Sequence, residues 1–344
     1  MLVLIETGGG LALGFTLGYA LQRGGFCMNT AFRSVIFEKD RSLLRAWAVV
    51  VAINVVGVNL LAQLGVLRPA TAPLFWPALI AGGFVFGIGM VLAGGCASGT
   101  CYRAGRGMLG SCAALIGFLF GTAAMDGGAL SGFQALLRAP TIDIGGQEAT
   151  LFNLMGAETV ALRWLLIVLL LLPLLWWLLR APADRFVIGW GWRRTGATVG
   201  VLALTAWVLS SLVGRNFGLS FTQPAVSLTR WVLAGDGRGV SIASYIFVGV
   251  PLGAWLAAAV RKEAVWSLPD ARTLVRQSAG GLTMGLGASL AGGCNIGHGV
   301  TGIATLGVGS IVGVLSIMLG SWTMTAVVFH GATKSHTVGA LRPA

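Results

Sequence analysis

Long apolar stretches separated by short polar turns make up most of this chain. Nine of them could cross a lipid bilayer, at residues 8–23, 43–66, 77–93, 108–126, 162–179, 196–213, 241–260, 278–291 and 307–329. A spanning helix needs about 20 apolar residues, but the first, third, sixth and eighth stretches are short or glycine-interrupted and lead into a polar, glycine-rich segment. The pattern predicts an all-α polytopic membrane protein with about nine spans. Four of these would be discontinuous helices, with loops folded toward the membrane centre.

The apolar pattern is also repeated along the chain. Residues 82–99 align without gaps with residues 280–297, and ten of the 18 positions are identical. The two segments lie five spans apart, and an odd separation reverses their orientation. We therefore predict two inverted repeats, approximately 1–160 and 180–330, within a single integral membrane domain of residues 1–344. Such repeats place a substrate path between the two halves.

Composition supports the membrane interpretation, and charge orients the chain. The 344 residues are 56% hydrophobic and 10% charged, against roughly 25% charged in a soluble protein. Nine crossings place 17 of the 23 Lys and Arg residues on one side, which should be cytoplasmic. This predicts a periplasmic N-terminus, without a removed signal peptide, and a cytoplasmic C-terminus. The net charge of +12 comes from basic residues spread over short loops, so we expect no nucleic-acid binding.

Three of the five cysteines share one glycine-rich setting: Gly25-Phe26-Cys27, Gly94-Gly95-Cys96 and Gly292-Gly293-Cys294. A structural filler would not recur at the same place in a repeated loop, so Cys27, Cys96 and Cys294 are candidate site residues. Cys112 is interpreted as an apolar filler, and the sequence leaves the role of Cys101 open. A weaker counterpart, residues 216–220, matches the segment around Cys27 but holds Gly218 in place of the thiol.

Polar residues that favour helix starts follow each cysteine, among them Asn29, Ser98 and Asn295. Helix N-termini carry unpaired N–H groups and about half a positive charge, so several of them aimed at one centre would bind an anion. Gly25, Gly95 and Gly293 would let backbone amides approach that ligand. The predicted substrate-binding set is completed by Asn29 and Asn295.

The thiols indicate the kind of anion. In apolar surroundings a thiol stays protonated, and a neutral S–H group donates to an anion that a thiolate would repel. A small anion with a soft, exposed sulfur suits such donors. A metal site is less well supported, because the chain has no CxxC pair and His298, the one histidine near a cysteine loop, is more typical of a packed polar residue. We expect no catalytic residue, metal or cofactor. No Asp or Glu falls within the middle of a predicted span, which favours passage down a gradient.

At these motifs the chain resembles the YeeE/YedE family of bacterial inner-membrane proteins that take up thiosulfate. The resemblance extends over essentially the whole chain and is carried by residues 24–33, 93–96 and 291–297. It implies an hourglass-like helical body in which three cysteines hand thiosulfate along by S–H···S hydrogen bonds. It also implies a soluble sulfur carrier of the TusA type, here as a separate partner, since we expect no such domain to be fused after the last span.

Three alternatives stay open on the sequence. The cargo could be another sulfur or selenium species, such as sulfite, sulfide or a persulfide. The chain could instead be a membrane sulfurtransferase that moves sulfur through a cysteine persulfide. A membrane scaffold without transport would be insensitive to replacement of any cysteine.

Overall fold

The computed structural model describes residues 2–143, 148–181 and 189–339. Over these ranges the chain is all-helical, with only isolated β-bridges such as that between Leu74 and Ile142. The α-helices of the described ranges are α1 (Leu2–Leu4), α2 (Gly10–Gly24), α3 (Met28–Phe37), α4 (Ser42–Gln63), α5 (Trp76–Leu92), α6 (Ala97–Arg106), α7 (Leu109–Met125), α8 (Ser131–Arg138), α9 (Leu151–Leu154), α10 (Val160–Leu179), α11 (Trp192–Leu212), α12 (Thr222–Ala234), α13 (Ile242–Val260), α14 (Ala271–Ala291) and α15 (Val308–Gly339). Two π-helical turns, Ile5–Gly9 and Gly297–Gly302, adjoin them.

The described chain has seven helical stretches that are long and apolar enough to cross a bilayer: Leu2–Phe37, Ser42–Gln63, Trp76–Arg106, Val160–Leu179, Trp192–Leu212, Ile242–Val260 and Val308–Val328. Two predicted crossings fall outside this set. Helix α7 is apolar but has only 17 residues, and α14 carries Arg272, Arg276 and Gln277 in its first turns. The all-helical membrane architecture is thus confirmed, while the count of nine crossings stays a prediction.

Four interruptions of the helices, breaks 1 to 4, begin with the same backbone design. Break 1 spans residues 25–27, break 2 residues 94–96, break 3 residues 214–221 and break 4 residues 292–294. The first residue of each is a glycine with φ between 56° and 79°. At each break the N–H of the next residue donates to the carbonyl five positions back, at 3.0, 3.0, 2.9 and 2.9 Å. This Schellman closure favours glycine, which adopts the left-handed conformation without steric cost.

Helices α5 and α14 cross with their backbones in direct contact. A Cβ atom at Gly89 would overlap the backbone nitrogen of Met284, and one at Gly287 would overlap the backbone nitrogen of Phe86. The two contacts correspond residue by residue at the offset of 198, so the crossing maps onto itself when the helices are exchanged. Small residues permit such close approach, which is how membrane helices gain packing energy.

The same correspondence holds for the helices around this pair. Gly87 of α5 packs on the carbonyl of Ile317 in α15, and Gly285 of α14 packs on the carbonyl of Phe118 in α7. Likewise, α2 packs on α13 where α11 packs on α4, through glycines at positions 14 and 18 in the first pair and 196 and 200 in the second. The contacts of α2 with α13 and of α5 with α15 are therefore matched by those of α11 with α4 and of α14 with α7.

The largest buried apolar cluster surrounds the breaks. It includes Phe26, Phe86 and Phe221 together with Cys27 and Cys96, all at most 1% exposed. Cys294 belongs to the same cluster. The cysteines of breaks 1, 2 and 4 and Phe221 of break 3 are thus packed into the interior of the protein, whereas the left-handed glycine that opens each break is exposed.

We predict that Gly285→Ala lowers the stability of the purified protein by about 1–3 kcal/mol, because the added methyl group would force α14 away from the α7 backbone. The measurement is thermal unfolding in detergent. Gly132→Ala is the matched control, since a Cβ at this position of α8 meets no atom within 4 Å and alanine favours a helix. Equal melting temperatures for the two variants would contradict the close-packed crossing.

Candidate functional site

Each candidate cysteine lies two residues beyond the left-handed glycine of its break and starts the helix that follows. The carbonyls of Cys27, Cys96 and Cys294 accept the backbone N–H of the residue four positions on, at 2.9, 2.7 and 2.8 Å. One spacer residue separates glycine from cysteine in each case. Breaks 1, 2 and 4 therefore present their thiols at the same point of the backbone, the N-terminal end of a helix.

The structure corrects the predicted helix starts. Asn29 and Asn295 were expected to precede their helices, but Cys27 is the N-cap residue of α3 and Asn29 is already its second residue. Cys96 caps α6, and its Sγ accepts the N–H of Gly99 at 3.4 Å. Asn295 similarly begins the helical segment that follows Cys294. Sulfur is a weak acceptor, so a thiol was not an expected cap, and the amides are left available for other contacts.

Two of the candidate thiols form a pair. The Sγ atoms of Cys27 and Cys96 lie 3.8 Å apart, and Cys96 Sγ is also 3.4 Å from the hydroxyl of Ser98. Both cysteines are reduced and buried. A Cβ atom at Gly99 would lie 2.7 Å from Cys27 Sγ and 3.3 Å from Cys96 Sγ, so only glycine leaves room for the pair. Cys294 makes no hydrogen bond to either thiol in the described chain.

Two buried amides beside the thiols have unused hydrogen-bonding groups. The side chain of Asn295 is fully buried and lies close enough to the Cys96 thiol to interact with it, but neither Nδ2 nor Oδ1 has a hydrogen bond of ordinary length among the described residues. Asn29 donates from Nδ2 to the carbonyl of Met90 at 3.1 Å, and no described residue pairs with its Oδ1. A buried polar group without a partner costs about 1–3 kcal/mol, so these two amides are candidates for contact with a ligand.

The predicted glycines have different surroundings. Gly25 has the left-handed φ of 56°, and a Cβ there would meet no atom within 4 Å. A Cβ at Gly95 would lie 3.0 Å from Nη1 of Arg103, and one at Gly293 would lie 3.0 Å from Nε2 of His298. Gly25 therefore serves the turn, whereas Gly95 and Gly293 leave space for a neighbouring side chain.

His298 is held on both sides of its ring. Nδ1 lies 3.3 Å from the hydroxyl of Ser310, and Nε2 lies 3.1 Å from the carbonyl of Ala291. The side chain is 2% exposed. These contacts are those of a packed polar residue that supports break 4, as predicted. Within the described ranges no group of three or more His, Cys, Asp or Glu residues is arranged to hold a metal ion.

The remaining cysteines lie apart from the thiol pair. Cys101 Sγ is 3.8 Å from the carbonyl of Phe247, and Cys112 Sγ is 3.9 Å from the carbonyl of Ala104. Both contacts are to helix backbone, as expected of a cysteine that fills space between helices. Cys112 is only partly buried.

Break 3 differs from the match proposed on sequence. Its left-handed glycine is Gly214 and its N-cap residue is Phe221, so six residues replace the single spacer of the other breaks. Gly218 is not in the position of a thiol. A Cβ there would lie 2.6 Å from Nε1 of Trp207, and the indole ring excludes any side chain. The ungapped match of residues 216–220 with the segment around Cys27 was out of register, because it did not allow for the longer loop between Gly214 and Phe221.

A cavity of about 530 Å³ opens beside breaks 3 and 4. Its lining includes Arg138, Ser289 and Gly292 from the side of break 4, and Ser220 and Thr222 from the side of break 3. The Oγ1 atom of Thr222 is buried and has no hydrogen-bond partner within the described ranges. Arg138 was not singled out on sequence, because it lies more than 150 residues from the segment that it contacts. No local motif could have identified it.

Comparisons with known proteins place the chain in a family. Residues 23–323 match the family model described as sulphur transport. The thiosulfate transporter TsuA of Escherichia coli K12 is 33% identical over 338 residues, covering 93% of this chain and 94% of the relative. The thiosulfate transporter TsuA of Spirochaeta thermophila is 32% identical over 330 residues, covering 93% and 98%. The probable transporter YedE of E. coli K12 is 35% identical over 104 residues, which are 29% of this chain and 25% of the relative. The chain belongs to the sulphur-transport family, which confirms the resemblance to YeeE/YedE proteins that its cysteine motifs predicted.

Proposed function

We propose that this protein carries thiosulfate across a bacterial inner membrane into the cytoplasm for sulfur assimilation. The observation that carries the proposal is the buried pair of Cys27 and Cys96 thiols, 3.8 Å apart, beside the unpaired amide of Asn295. Two relatives that match nearly the full chain bear the name thiosulfate transporter. The protein acts as a transporter and not as an enzyme.

The chemistry of thiosulfate suits these groups. Its terminal sulfur is soft and accepts a hydrogen bond from a neutral thiol, while its oxygens accept from an amide N–H such as Nδ2 of Asn295. The unpaired Oδ1 of Asn29 can in turn accept from a thiol and orient its hydrogen. Cys27, Cys96 and Cys294 then act as successive neutral donors, and several weak stations in series let the ion enter and leave.

The backbone adds a positive potential to these donors. Because each of the three cysteines starts a helix, the unpaired N–H groups of three helix N-termini lie close to the thiols. Each N-terminus is equivalent to about half a positive charge, and such ends bind anions without a cationic side chain. A doubly charged ion is thereby stabilised within an apolar protein.

The proposed architecture has two inverted repeats, nine crossings and four discontinuous helices that meet near the membrane centre. The matching glycine contacts of α5 with α14 and of their neighbours support the repeat, and the four Schellman closures support the equivalence of the breaks. The excess of basic residues on one side supports a periplasmic N-terminus and a cytoplasmic C-terminus. A TusA-like carrier on the cytoplasmic side would consume the product and keep transport downhill.

We expect Cys96→Ala and Cys294→Ala each to reduce uptake of labelled thiosulfate into proteoliposomes by about tenfold or more, because each removes a buried donor to the ion. Cys112→Ala is the matched control and should transport at the wild-type rate, since its thiol donates to the Ala104 carbonyl on the neighbouring helix and takes no part in the thiol pair. Unimpaired uptake by both site variants would exclude the cysteine relay.

Competition in the same uptake assay and mass spectrometry of the protein after transport separate the alternatives. Unlabelled sulfite, sulfide or a selenium compound that competes better than thiosulfate would identify a different cargo. A substrate-derived mass gain of about 32 Da, one sulfur atom, on a cysteine would instead indicate a persulfide and a sulfurtransferase. The thiosulfate proposal requires competition by thiosulfate and an unmodified protein.

Asn295→Leu should raise stability and lower transport together. Leucine is close to asparagine in size and removes two buried polar atoms that have no partner in the described chain, so we expect a gain of about 1–3 kcal/mol. Uptake should fall by about tenfold or more, since the amide is lost to the ion. Thermal unfolding and proteoliposome uptake measure the two effects. A loss of stability would show that Asn295 serves the fold and not the ligand.

A further inference from the structure

Three arginines donate to carbonyls at the breaks where helices end. Arg103 donates from Nη1 to the carbonyl of Gly94 in break 2. Arg138 donates from Nη2 to the carbonyl of Ser289 and from Nε to that of Leu290, the latter at 3.1 Å, directly before break 4. Guanidinium groups thus cover the carbonyl ends of α5 and α14.

Breaks 3 and 1 are covered as well. In break 3, Nη1 of Arg215 donates to the carbonyls of Phe217 and Gly218, at 3.1 and 3.0 Å. In break 1, the carbonyl of Arg23 accepts the backbone N–H of Trp190 at 2.9 Å. Each break therefore has donors on carbonyls that the helices leave free, and in breaks 2, 3 and 4 the donor is a permanent cation.

The position of these cations has an electrostatic consequence. The end of a helix carries unpaired carbonyls equivalent to about half a negative charge. A broken helix brings such an end close to the N-terminal end of the next segment, so an anion drawn to the N–H groups would also be repelled by the carbonyls. A guanidinium on those carbonyls removes the repulsion and leaves the attraction.

We propose that Arg103 and Arg138 are positioning residues that neutralise the carbonyl ends of α5 and α14, that Arg215 does the same for loop carbonyls of break 3, and that together they make the path selective for anions. This inference rests on the proposed transport of thiosulfate. On the proposed topology Arg138 and Arg215 lie on the periplasmic side and Arg103 lies on the cytoplasmic side. An anion that reaches the thiols from either side of the membrane then meets backbone carbonyls that a guanidinium group has neutralised.

Arg138 is the residue on which the idea is best tested. Its guanidinium lies 4.8 Å from the centre of the Phe75 ring, and it lines the 530 Å³ cavity beside break 4. The carboxylates that line this cavity are paired elsewhere: Asp126 with Arg230 and Asp236 with Arg238, each at 3.1 Å. Among the described groups lining the cavity, Arg138 is the cation without an ion pair.

Arg163 provides a matched control. Its Nε donates to the carbonyl of Ala157 at 3.1 Å, and its guanidinium lies 5.7 Å from the centre of the Phe152 ring. Arg163 therefore makes the same two kinds of contact as Arg138, but neither residue that it contacts belongs to a break or lines the cavity. Its replacement measures the effect of losing an arginine that binds a carbonyl away from the breaks and the cavity.

The experiment compares Arg138→Gln, Arg138→Lys and Arg163→Gln as purified proteins in proteoliposomes. Labelled thiosulfate uptake is measured over a range of concentrations to separate KM from the maximal rate. We expect Arg138→Gln to raise KM by about tenfold, the scale of a helix-end charge interaction in a partly buried site, with a maximal rate within about twofold of wild type. Arg138→Lys should restore most of the affinity because it keeps the charge, and Arg163→Gln should match the wild type.

Each other outcome has a defined meaning. If Gln and Lys at position 138 lower stability and the maximal rate equally while KM is unchanged, Arg138 only holds the loop and the proposal is wrong. An unchanged KM in Arg138→Gln also overturns it. If Arg138→Gln does not purify as a monodisperse protein, Arg138→Met takes its place as the variant without the charge: a several-fold rise in its KM without loss of maximal rate supports the proposal, and an unaltered KM overturns it. If the wild type itself takes up no thiosulfate, the proposed function fails and this inference fails with it.

Discussion

The need to satisfy backbone N–H and C=O groups away from water governs this molecule. A continuous helix satisfies these groups internally, and a helix that breaks within an apolar body does not. Here each break is closed by a Schellman hydrogen bond on a left-handed glycine, and the next helix begins within three residues in breaks 1, 2 and 4. Backbone carbonyl and N–H groups at the breaks that this closure leaves unpaired are available to other side chains or to a ligand. Carbonyls are covered by arginines, while N–H groups stay beside the thiols.

Close backbone packing provides the second requirement, a rigid frame for the breaks. Where α5 crosses α14, glycines rather than side chains set the distance between the helices. The two halves of the chain contribute equivalent residues, so one crossing fixes the relative positions of breaks 2 and 4. The thiol pair at 3.8 Å joins breaks 1 and 2, and it too requires a rigid frame, because a movement of the helices by an ångström or so would separate donor from acceptor.

Much of this could be read from the sequence. Apolar stretches and their glycine interruptions predicted the helices. The recurring Gly-x-Cys spacing singled out Cys27, Cys96 and Cys294 as candidates, and all three lie at a helix start, because one spacer after a left-handed glycine places the next residue there. The caps were assigned wrongly, since propensity favours Asn over Cys at that position. Gly218 was misaligned, because a longer loop shifts the register without changing the composition.

The sequence could not predict contacts between residues that are far apart in the chain. Arg138 reaches carbonyls on α14 across about 150 positions of chain, and the unpaired state of the Asn295 amide is a property of its surroundings.

The single residue between glycine and cysteine in breaks 1, 2 and 4 limits how such chains can change in length during evolution. An insertion or deletion in break 1, 2 or 4 would move the thiol off its cap, whereas break 3 has no thiol and six residues of loop. Length differences between family members should therefore accumulate in the third break, and the other three should keep a fixed number of residues.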